Sequence, residues 1–488
     1  MRIAIWRCVL LRLLKTTVAL SLALLSLASF PSTAAAQLET RATFSTNPSP
    51  ASITTGDFNR DGKMDLAVAS ILDSFQQVQV FLGSGDGTFA APASYGVGNI
   101  PRFISAIDLN HDGNLDLVVA TGDDRSGSVS VLLGNGDGTF QPAMNFDTVA
   151  QYPIDLVFGD FNGDHKIDVA MPFSFCACLG VLLGNGDGTF REPPIFTNLP
   201  SFSPQALAAG YFKGDGNLDL AVSQQFGSSS GIQILLGNGD GTFRIGGAYP
   251  VGPSPEALVA VDLNKDQKTD LAVAEFQGIG VAVLLGNGDG TFLPAVEYPV
   301  DFALSVTFAD MNGDGVLDLV LGSNPISGGA ASVLLGNGDG TFQPAMNFPA
   351  GLFSSFAAVG DFNGDHRTDV AVADYLSNTV EILLNTGVVA FSPTTPLNFQ
   401  GQRVGTTSKP KTVTLSNTGL TALSISSRTV KGPYAMTSTC GVTVAPGASC
   451  AIRVTFSPKT EGPKAGSVAI IDSASTKPQV IKLSGTGT

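Results

Sequence analysis

The stretch GDFNRDGKMDLAVAS, residues 56–70, places Asp57, Asn59, Asp61 and Asp65 within nine residues and then continues into an apolar Leu-Ala-Val-Ala segment. Carboxylates this close repel one another unless a cation or hydrogen-bond donors neutralise them. The apolar segment has the length and composition of a buried β-strand. The stretch therefore predicts an oxygen-rich loop that leads into a strand and needs a counter-charge.

The same pattern recurs at a nearly fixed period. Its successive copies are 51, 52, 51, 51, 48 and 51 residues apart, which is typical of a repeat architecture. Each copy also contains further short apolar runs, and most copies contain Gly-Asn-Gly-Asp-Gly-Thr-Phe, a sequence suited to a tight turn between two strands. The first positions of the seven copies are Asp57, Asp108, Asp160, Tyr211, Asp262, Asp310 and Asp361.

Four short strands per repeat form the blade of a β-propeller, so the sequence predicts an all-β fold with seven blades. A β-solenoid is the competing interpretation, although its coils are usually shorter than this repeat. Hydrophobic residues make up 43% of the chain, which excludes a disordered protein. The seventh repeat lacks the Asp-Gly turn, and Arg41-Ala42-Thr43-Phe44 resembles the start of a fourth strand. We therefore expect residues 41–47 to complete blade 7 and close the ring.

The N-terminal segment 1–36 has the organisation of a secretory signal peptide. Four basic residues precede an apolar run from Val18 to Phe30, and Ala34-Ala35-Ala36 is a small-residue cleavage site. A permanent membrane anchor is the alternative, but the uncharged run is short for one. Because four basic residues leave with the segment, the formal charge changes from −15 to −19. We expect a secreted, periplasmic or cell-surface protein with no remaining membrane span and no affinity for nucleic acid.

The acidic loops offer only hard oxygen donors. Side chains at loop positions 1, 3, 5 and 9, with a backbone carbonyl at position 7, correspond to the first part of an EF-hand calcium loop. No thiolate or imidazole stands at these positions, so the donor set suits Ca²⁺. The alternative is that the acidic residues only form Asx-turns at the surface. Six complete copies at one period favour metal binding.

The repeats resemble the FG-GAP/VCBS repeats of bacterial secreted proteins, which are related to the propeller of integrin α-subunits. The resemblance rests on Gly-Asp-Phe-Asn-Gly-Asp at 159–164 and 360–365 and on the repeated Leu-Leu-Gly-Asn-Gly-Asp-Gly-Thr-Phe, and it covers about residues 40–388. It implies Ca²⁺ bound in these loops, which we expect to be structural and to fix the turn between the first two strands of each blade.

Together with the EF-hand spacing, the resemblance predicts about six calcium sites. The predicted ligands at positions 1, 3, 5, 7 and 9, with position 7 acting through its carbonyl, are Asp57, Asn59, Asp61, Lys63 and Asp65; Asp108, Asn110, Asp112, Asn114 and Asp116; Asp160, Asn162, Asp164, Lys166 and Asp168; Asp262, Asn264, Asp266, Lys268 and Asp270; Asp310, Asn312, Asp314, Val316 and Asp318; and Asp361, Asn363, Asp365, Arg367 and Asp369.

The fourth loop, residues 211–219, departs from the pattern. Tyr211 and Lys213 replace the ligands at positions 1 and 3, and we expect no ion there because the Lys ammonium would take its place. Position 6 is Gly in four loops but His165, Gln267 and His366 in the others. If the backbone there is left-handed, a residue other than Gly costs some stability. The fifth loop, which carries Gln267, is expected to bind its ion more weakly.

The repeat ends after Val388, and we divide the chain into residues 1–36, 37–388 and 389–488. The last segment alternates short strands with Ser- and Thr-rich turns, which predicts an immunoglobulin-like β-sandwich. Its sequence around Cys440 and Cys450 and its closing Leu-Ser-Gly-Thr-Gly resemble the ASPM/SPD-2/Hydin-type repeat. Within this resemblance Cys440 and Cys450 are expected to pair. Cys176 and Cys178 are left open between a bridge and free or buried thiols.

The connections between strands indicate where a ligand would bind. The acidic loops and glycine turns fall on one face of the propeller and repeat closely. The connections between second and third strands and between blades form the other face and differ in every blade; we call it the variable face. Variable loops on a rigid scaffold commonly carry recognition. Examples are Leu72-Asp73-Ser74-Phe75, Gly122-Asp123-Asp124-Arg125, Phe173-Ser174-Phe175 and Asp374-Tyr375-Leu376.

We therefore expect a monomeric calcium-binding adhesion or ligand-binding scaffold, not an enzyme, with an unknown protein or glycan partner on the variable face. An extracellular polysaccharide-processing enzyme is the alternative, and a passive envelope component is a third possibility. The three histidines, His111, His165 and His366, lie in acidic loops at positions not assigned as ligands. Nearly all carboxylates that could form a glycosidase pair are assigned to calcium. The chain without residues 1–36 has no Trp, which weakens a carbohydrate-stacking role.

Overall fold

A computed structural model of the chain describes residues 38–71, 76–123, 125–174, 176–200, 203–226, 229–312, 315–325, 328–385, 389–392, 397–417, 423–445, 448–472 and 478–488. The predicted signal peptide, the predicted ligand Asp314, the connection Leu72–Phe75, and residues Asp124 and Phe175 lie outside these residues. All named elements in the described part of the chain are β-strands. Within it, no helix has the length and apolar character needed to cross a membrane.

Seven antiparallel sheets of four strands form the seven blades, which confirms the predicted propeller. In chain order the strands are β1 Leu38–Ser45; β2 Pro50–Gly56, β3 Asp65–Ser70, β4 Gln77–Phe81 and β5 Ala93–Gly96 (blade 1); β6 Pro101–Ile107, β7 Asp116–Gly122, β8 Gly127–Leu132 and β9 Met144–Asp147 (blade 2); β10 Val157–Gly159, β11 Asp168–Phe173, β12 Cys178–Leu182 and β13 Ile195–Asn198 (blade 3); β14 Pro204–Gly210, β15 Asp219–Phe226, β16 Ser229–Gly237 and β17 Phe243–Val251 (blade 4); β18 Pro255–Val261, β19 Asp270–Glu275, β20 Gly280–Leu284 and β21 Val296–Pro299 (blade 5); β22 Ser305–Ala309, β23 Asp318–Ser323, β24 Ala330–Leu334 and β25 Met346–Pro349 (blade 6); and β26 Ser354–Gly360, β27 Asp369–Asp374 and β28 Thr379–Asn385 (blade 7).

The second strand of each blade is apolar on both sides because both faces of the sheet pack against neighbouring blades. Every residue of β3, for example, is buried. The apolar side chains form one cluster between each pair of neighbouring blades. The cluster between blades 7 and 1 contains Ile53, Leu66, Phe362 and Ile382, so the ring is closed by the same kind of packing as its other contacts.

The N-terminal strand completes blade 7. β1 pairs antiparallel with β28, with Leu38 opposite Asn385 and Ser45 opposite Thr379. Phe44 of β1 packs edge-to-face against Phe89 of blade 1 at 5.3 Å between ring centroids. The predicted closure is therefore confirmed, with the strand beginning three residues before the expected segment 41–47.

The C-terminal strands form a β-sandwich around one core, as predicted. Its two sheets have the orders β29-β31-β35-β33 and β30-β37-β36-β32-β34, and the core includes Val413, Ile452, Phe456 and Ile470. The strands are β29 Val389–Ser392, β30 Leu397–Gln402, β31 Lys411–Asn417, β32 Leu423–Lys431, β33 Tyr434–Ser438, β34 Thr443–Val444, β35 Ser449–Phe456, β36 Gly462–Asp472 and β37 Gln479–Gly487.

Two disulfides are present. Cys440 and Cys450 pair, as the resemblance implied, and join the end of β33 to β35. Cys176 and Cys178, which the sequence left open, are also joined. Cys178 is buried at the start of β12, and Cys176 lies in the connection that precedes it on the variable face.

Candidate metal centres

The side chains at loop positions 1 and 3 converge on one backbone group. In the first loop, Asp57 Oδ1 and Asn59 Oδ1 both accept the N–H of Asp61, at 3.1 and 3.0 Å, and Asp57 Oδ2 accepts the N–H of Gly62 at 2.8 Å. The loops that begin at Asp108, Asp160, Asp262 and Asp361 repeat these contacts. In the sixth loop, Asp310 Oδ2 accepts the N–H of Gly315 at 2.8 Å. The Asx-type contacts of the alternative interpretation are therefore present, and they bring the side-chain oxygens of positions 1 and 3 together.

Position 6 of the loop has a left-handed backbone, as the glycines there suggested. The φ angle is 80° at Gly62 and 62°, 66° and 66° at His165, Gln267 and His366, so these three residues adopt a conformation that Gly adopts more readily. Position 4 is also left-handed, with φ of 58° at Arg60, and this second requirement was not anticipated. Glycine at position 4 of other loops, such as Gly163 and Gly364, was the available signal.

The basic side chains at position 7 lie over the carboxylate of position 5. Lys63 Nζ is 3.2 Å from Asp61 Oδ2, Lys268 Nζ is 3.6 Å from Asp266 Oδ2, and an Arg367 nitrogen is 3.7 Å from Asp365 Oδ2. Burial is the largest single effect on Asp61 and opposes its ionisation, but the hydrogen bonds and charge of Lys63, with the hydrogen bond of Asn59, together outweigh it and lower the pKa of Asp61. These exposed ion pairs contribute little stability, so they leave the position 5 carboxylate accessible to a competing cation.

The Asp at position 9 is fully buried and binds backbone on both sides. Asp65 Oδ2 accepts the N–H of Phe58 at 2.8 Å, and its Oδ1 accepts the N–H of Gly83, the first Gly of the glycine turn, at 2.7 Å. The corresponding Asp of every other blade also accepts one N–H of its own loop and one of the turn or its replacement, and the loop donor is position 2 in all blades except the fourth. Burial raises the pKa of Asp65, Asp219 and Asp270, and raises it to about 6 for Asp116 and Asp168 and to about 7 for Asp369.

In the fourth loop, a lysine side chain supplies the positive charge beside the position 5 carboxylate. Lys213 Nζ is 2.7 Å from Asp215 Oδ2, while Tyr211 is exposed. Asp219 keeps the contact with the turn, the N–H of Gly237, but its contact within the loop moves by one residue to the N–H of Lys213 at position 3. The contact of position 9 with the turn is therefore independent of the residues at positions 1 and 3, whereas its contact within the loop is not.

The donor chemistry of the loops fits a hard divalent cation. Positions 1, 3 and 5 and the position 7 carbonyl supply oxygen only, the ligand type that Ca²⁺ prefers. In the part of the chain that the structure describes, three or more His, Cys, Asp or Glu side chains are nowhere grouped to hold a metal ion. The Asp at position 9 is one reason why three carboxylates do not group together, because both of its oxygens already accept backbone N–H groups. The assignment of calcium to these residues remains a prediction.

The acidic loops also connect neighbouring blades, which the sequence did not reveal. The position 2 carbonyl accepts the N–H of the third turn Gly of the next blade, as between Phe58 and Gly138 at 3.0 Å. In the four loops where position 2 is Phe, its ring packs edge-to-face on the Phe that ends that turn. The ring pairs are Phe58–Phe140 at 5.6 Å, Phe161–Phe243 at 5.8 Å, Phe212–Phe292 at 5.3 Å and Phe362–Phe89 at 6.0 Å. We call this contact the inter-blade clamp.

Blade 7 has no glycine turn and forms its clamp differently. The Asn385 side chain donates to the carbonyl of Met311, at position 2 of the sixth loop, at 2.7 Å. Its backbone N–H donates to Asp369 Oδ1 at 2.7 Å, the contact that a turn Gly makes elsewhere. One buried Asn thus replaces two backbone donors, and its side chain joins blade 7 to blade 6.

The variable face carries a group of aromatic side chains over blades 5 to 7. Phe276 lies 5.5 Å from Phe302 and 6.3 Å from Phe353, and Phe353 lies 6.2 Å from Tyr375. All four are half-buried. We call them the aromatic cluster. The exposed Ile279, Leu352 and Leu376 belong to the same connections.

A central channel of about 430 Å³ runs between the first strands of all seven blades. Its wall is mixed, with Thr54, Ser105 and Gln205 beside apolar residues such as Ile104 and Val259. Tyr375 of the aromatic cluster also lines it. The channel and the aromatic cluster are therefore continuous on the variable face, where the sequence placed the ligand.

Comparisons with known proteins agree with the two folds. The FG-GAP-like repeat family matches residues 57–119, 108–171, 212–273 and 262–321. The family described as abnormal spindle-like microcephaly-associated, ASPM-SPD-2-Hydin, matches residues 386–480. No curated protein matches the chain.

Three solved structures are similar to parts of the chain. The ASH/PapD-like domain 7 of human CEP192 is 18% identical, with a TM-score of 0.17, and the match covers 21% of this chain and 85% of that one. A Lactobacillus plantarum protein (14% identity) and the Pseudomonas aeruginosa periplasmic gluconolactonase PpgL (16%) each have a TM-score of 0.45, with 62% of this chain and 86% of theirs covered. Likeness at this level bears on neither activity nor ligand.

Seven blades with acidic loops at one register, the repeat matches and the C-terminal match lead to one conclusion. This chain is an FG-GAP-repeat β-propeller protein with a C-terminal ASPM-SPD-2-Hydin domain.

Proposed function

We propose that this protein is a calcium-stabilised propeller scaffold that works outside the cytoplasm and binds a protein or glycan on its variable face. The observation that carries the calcium part is the repeated geometry of the acidic loop. In each of five fully described loops, the oxygens of positions 1 and 3 converge on the N–H of position 5. The next residue after position 1 in each loop faces the neighbouring blade.

A cation would therefore act at the junctions between blades. It would be held by the side chains of positions 1, 3 and 5 and the carbonyl of position 7, and it would supply the positive charge that offsets clustered carboxylates. Position 2 lies inside the same loop, so fixing the loop also fixes the inter-blade clamp. The expected affinity is that of extracellular modules, with dissociation constants of about 10⁻⁴–10⁻³ M.

Two features support a location outside the cytoplasm. Residues 1–36 have the organisation of a secretory signal peptide. The chain also carries two disulfides, which persist mainly in oxidising compartments.

The calcium proposal is tested on the chain without residues 1–36. Elemental analysis after dialysis against calcium should find about six ions per chain, and a chelator should lower the unfolding temperature. The double variant Asp57→Asn, Asp61→Asn should lose one ion. The matched control is Asp215→Asn in the fourth loop. This substitution should leave the ion count unchanged. An unchanged unfolding temperature in chelator together with no bound calcium would refute the proposal.

The ligand proposal is tested by screening glycan and protein arrays with the calcium-loaded chain. Binding should be lost when Phe353 or Tyr375 is replaced by Ala and kept when exposed residues of the opposite face are replaced. If the chain turned over a polysaccharide and the same two substitutions abolished that turnover, the scaffold role would be contradicted and an enzyme favoured.

A further inference from the structure

Blade 5 contains a buried carboxyl group in a space that neighbouring glycines leave open. Glu275 ends β19, is fully buried, and accepts the N–H of Gly252 on its Oε1 at 2.6 Å. Glycines surround its other oxygen. A Cβ atom at Gly252 would lie 2.2 Å from Glu275 Oε2, and one at Gly278 would lie 2.1 Å from it. The two connections on the variable face of blade 5 therefore close around this side chain.

The neighbour of Glu275 is a second acid. Glu297 of β21 lies close enough to act on the Glu275 carboxyl and shares the Gly252 N–H group with it. The Oε2 atom of each acid is buried and has no hydrogen-bond partner among the described residues. The other groups acting on the Glu275 carboxyl are the N–H groups of Gly252 and Gly280. Burial, and then the charge of Glu297, raise the pKa of Glu275 to about 7. Two carboxyl groups bond to each other only when one keeps its proton.

The other blades show that the fold does not require an acid here. In blade 2 the same register position is Thr121, which contacts Gly98 as Glu275 contacts Gly252. In blade 7 it is Asp374, which lies against Gly351. A hydroxyl side chain therefore fills this place in three blades (Ser70, Thr121 and Ser323) and an acid in two (Glu275 and Asp374). The Glu275–Glu297 pair is a feature of blade 5 and not of the repeat.

We infer that Glu275 and Glu297 share one proton and act as a pH-sensitive latch on the variable face of blade 5. With the proton present, Glu275 binds Glu297 and holds Gly252. Loss of the proton places two negative charges in contact inside the blade, which loosens the connection 252–254. The N–H of Phe276 donates to the carbonyl of Ser254 at 2.9 Å, so this change reaches the aromatic cluster. The inference is independent of calcium binding and of the ligand.

Hydrogen exchange measured by mass spectrometry tests the latch on the whole chain in saturating calcium. In the wild type, protection of peptides covering residues 250–256, corrected for the intrinsic rate, should fall by about tenfold or more between pH 5 and pH 7 and then level off. In Glu275→Gln the fall should disappear, because the Gln amide still accepts from Gly252 and donates to Glu297 at every pH. Constant protection in the wild type, or the same fall in Glu275→Gln, would overturn the inference.

A matched control comes from blade 7. Asp374→Asn should leave the pH response of residues 250–256 as in the wild type, and loss of that response there would also overturn the inference. Should Glu275→Gln fail to fold, Glu297→Gln gives the same test. The amide introduced by Glu297→Gln can donate to Glu275 and removes the second charge, so the pH-dependent fall should again be absent.

Discussion

At the level of single residues, the Asp at position 9 has a structural role in binding backbone N–H groups. The sequence alone could not distinguish this role from metal binding. It is buried in all seven blades and its two oxygens connect the acidic loop to the glycine turn or its replacement. The spacing predicted a ligand because carboxylates at such positions coordinate calcium. The backbone contacts could not be predicted, because they depend on a turn 16 to 18 residues further along the chain.

The fourth loop allows this structural role to be measured alone. Asp219→Asn should lower the free energy of unfolding by about 1–3 kcal/mol, because one buried N–H loses its acceptor. The loss should be equal with and without calcium. Asp168→Asn should cost a similar amount in chelator and more in calcium, because loosening its loop also weakens the ion held by positions 1, 3, 5 and 7. Urea unfolding in both conditions checks this, and a calcium-dependent effect of Asp219→Asn would contradict an ion-free fourth loop.

Asp374 should make the stability of blade 7 depend on pH. Burial raises the pKa of Asp374 to about 7, the nearby charge of Glu381 adds to the rise, and its ordinary value is 3.8. The folded chain therefore holds this proton more tightly than the unfolded chain, so its contribution to stability falls as pH rises from about 4 to about 7. The free energy of unfolding of Asp374→Asn minus that of the wild type should be about 2–4 kcal/mol larger at pH 8 than at pH 4. Denaturant unfolding at the two pH values measures this, and a pH-independent difference would contradict it.

At the level of elements, the strands follow from the sequence and the inter-blade clamp does not. Short apolar runs between glycine turns predict the strands of each blade, because both faces of a blade are buried. The clamp joins a Phe of one repeat to a Phe of the next, such as Phe58 and Phe140. Periodicity within a repeat carries no information about contacts between repeats. The only signal was Phe at position 2 in four of the seven loops, together with Phe at the end of every glycine turn.

The clamp predicts a graded response to substitution at Phe140. Phe140 is 7% exposed and packs on Phe58 and Tyr95. Phe140→Ala should lower the free energy of unfolding by about 3–5 kcal/mol, because it leaves a cavity between blades 1 and 2. Phe140→Leu should cost about 1.5 kcal/mol or less, as expected for a hydrophobic residue of similar volume. Denaturant unfolding measures both losses. Equal losses for the two variants would show that Phe140 does not fill the space between blades 1 and 2.

At the level of the whole molecule, ring closure depends on the N-terminal strand. Deletion of residues 37–45 removes β1 and exposes the outer edge of β28. The deletion should lower the unfolding temperature strongly and promote association, both measurable by calorimetry and light scattering. The control is truncation after residue 388, which removes the C-terminal sandwich and should leave the unfolding of the propeller unchanged. A deletion variant as stable and monodisperse as the parent would show that β1 is dispensable.

The pairing of Leu38 with Asn385 also sets the order of events during biosynthesis. The first strand to be made has no partner until nearly the whole propeller has been synthesised, so six blades must assemble while their terminal edge stands open. Contacts between such distant parts of a chain form slowly. In a crowded preparation the leading strand of one polypeptide could then complete the last blade of another. Refolding at high protein concentration should accordingly give interlocked dimers that dilute refolding avoids.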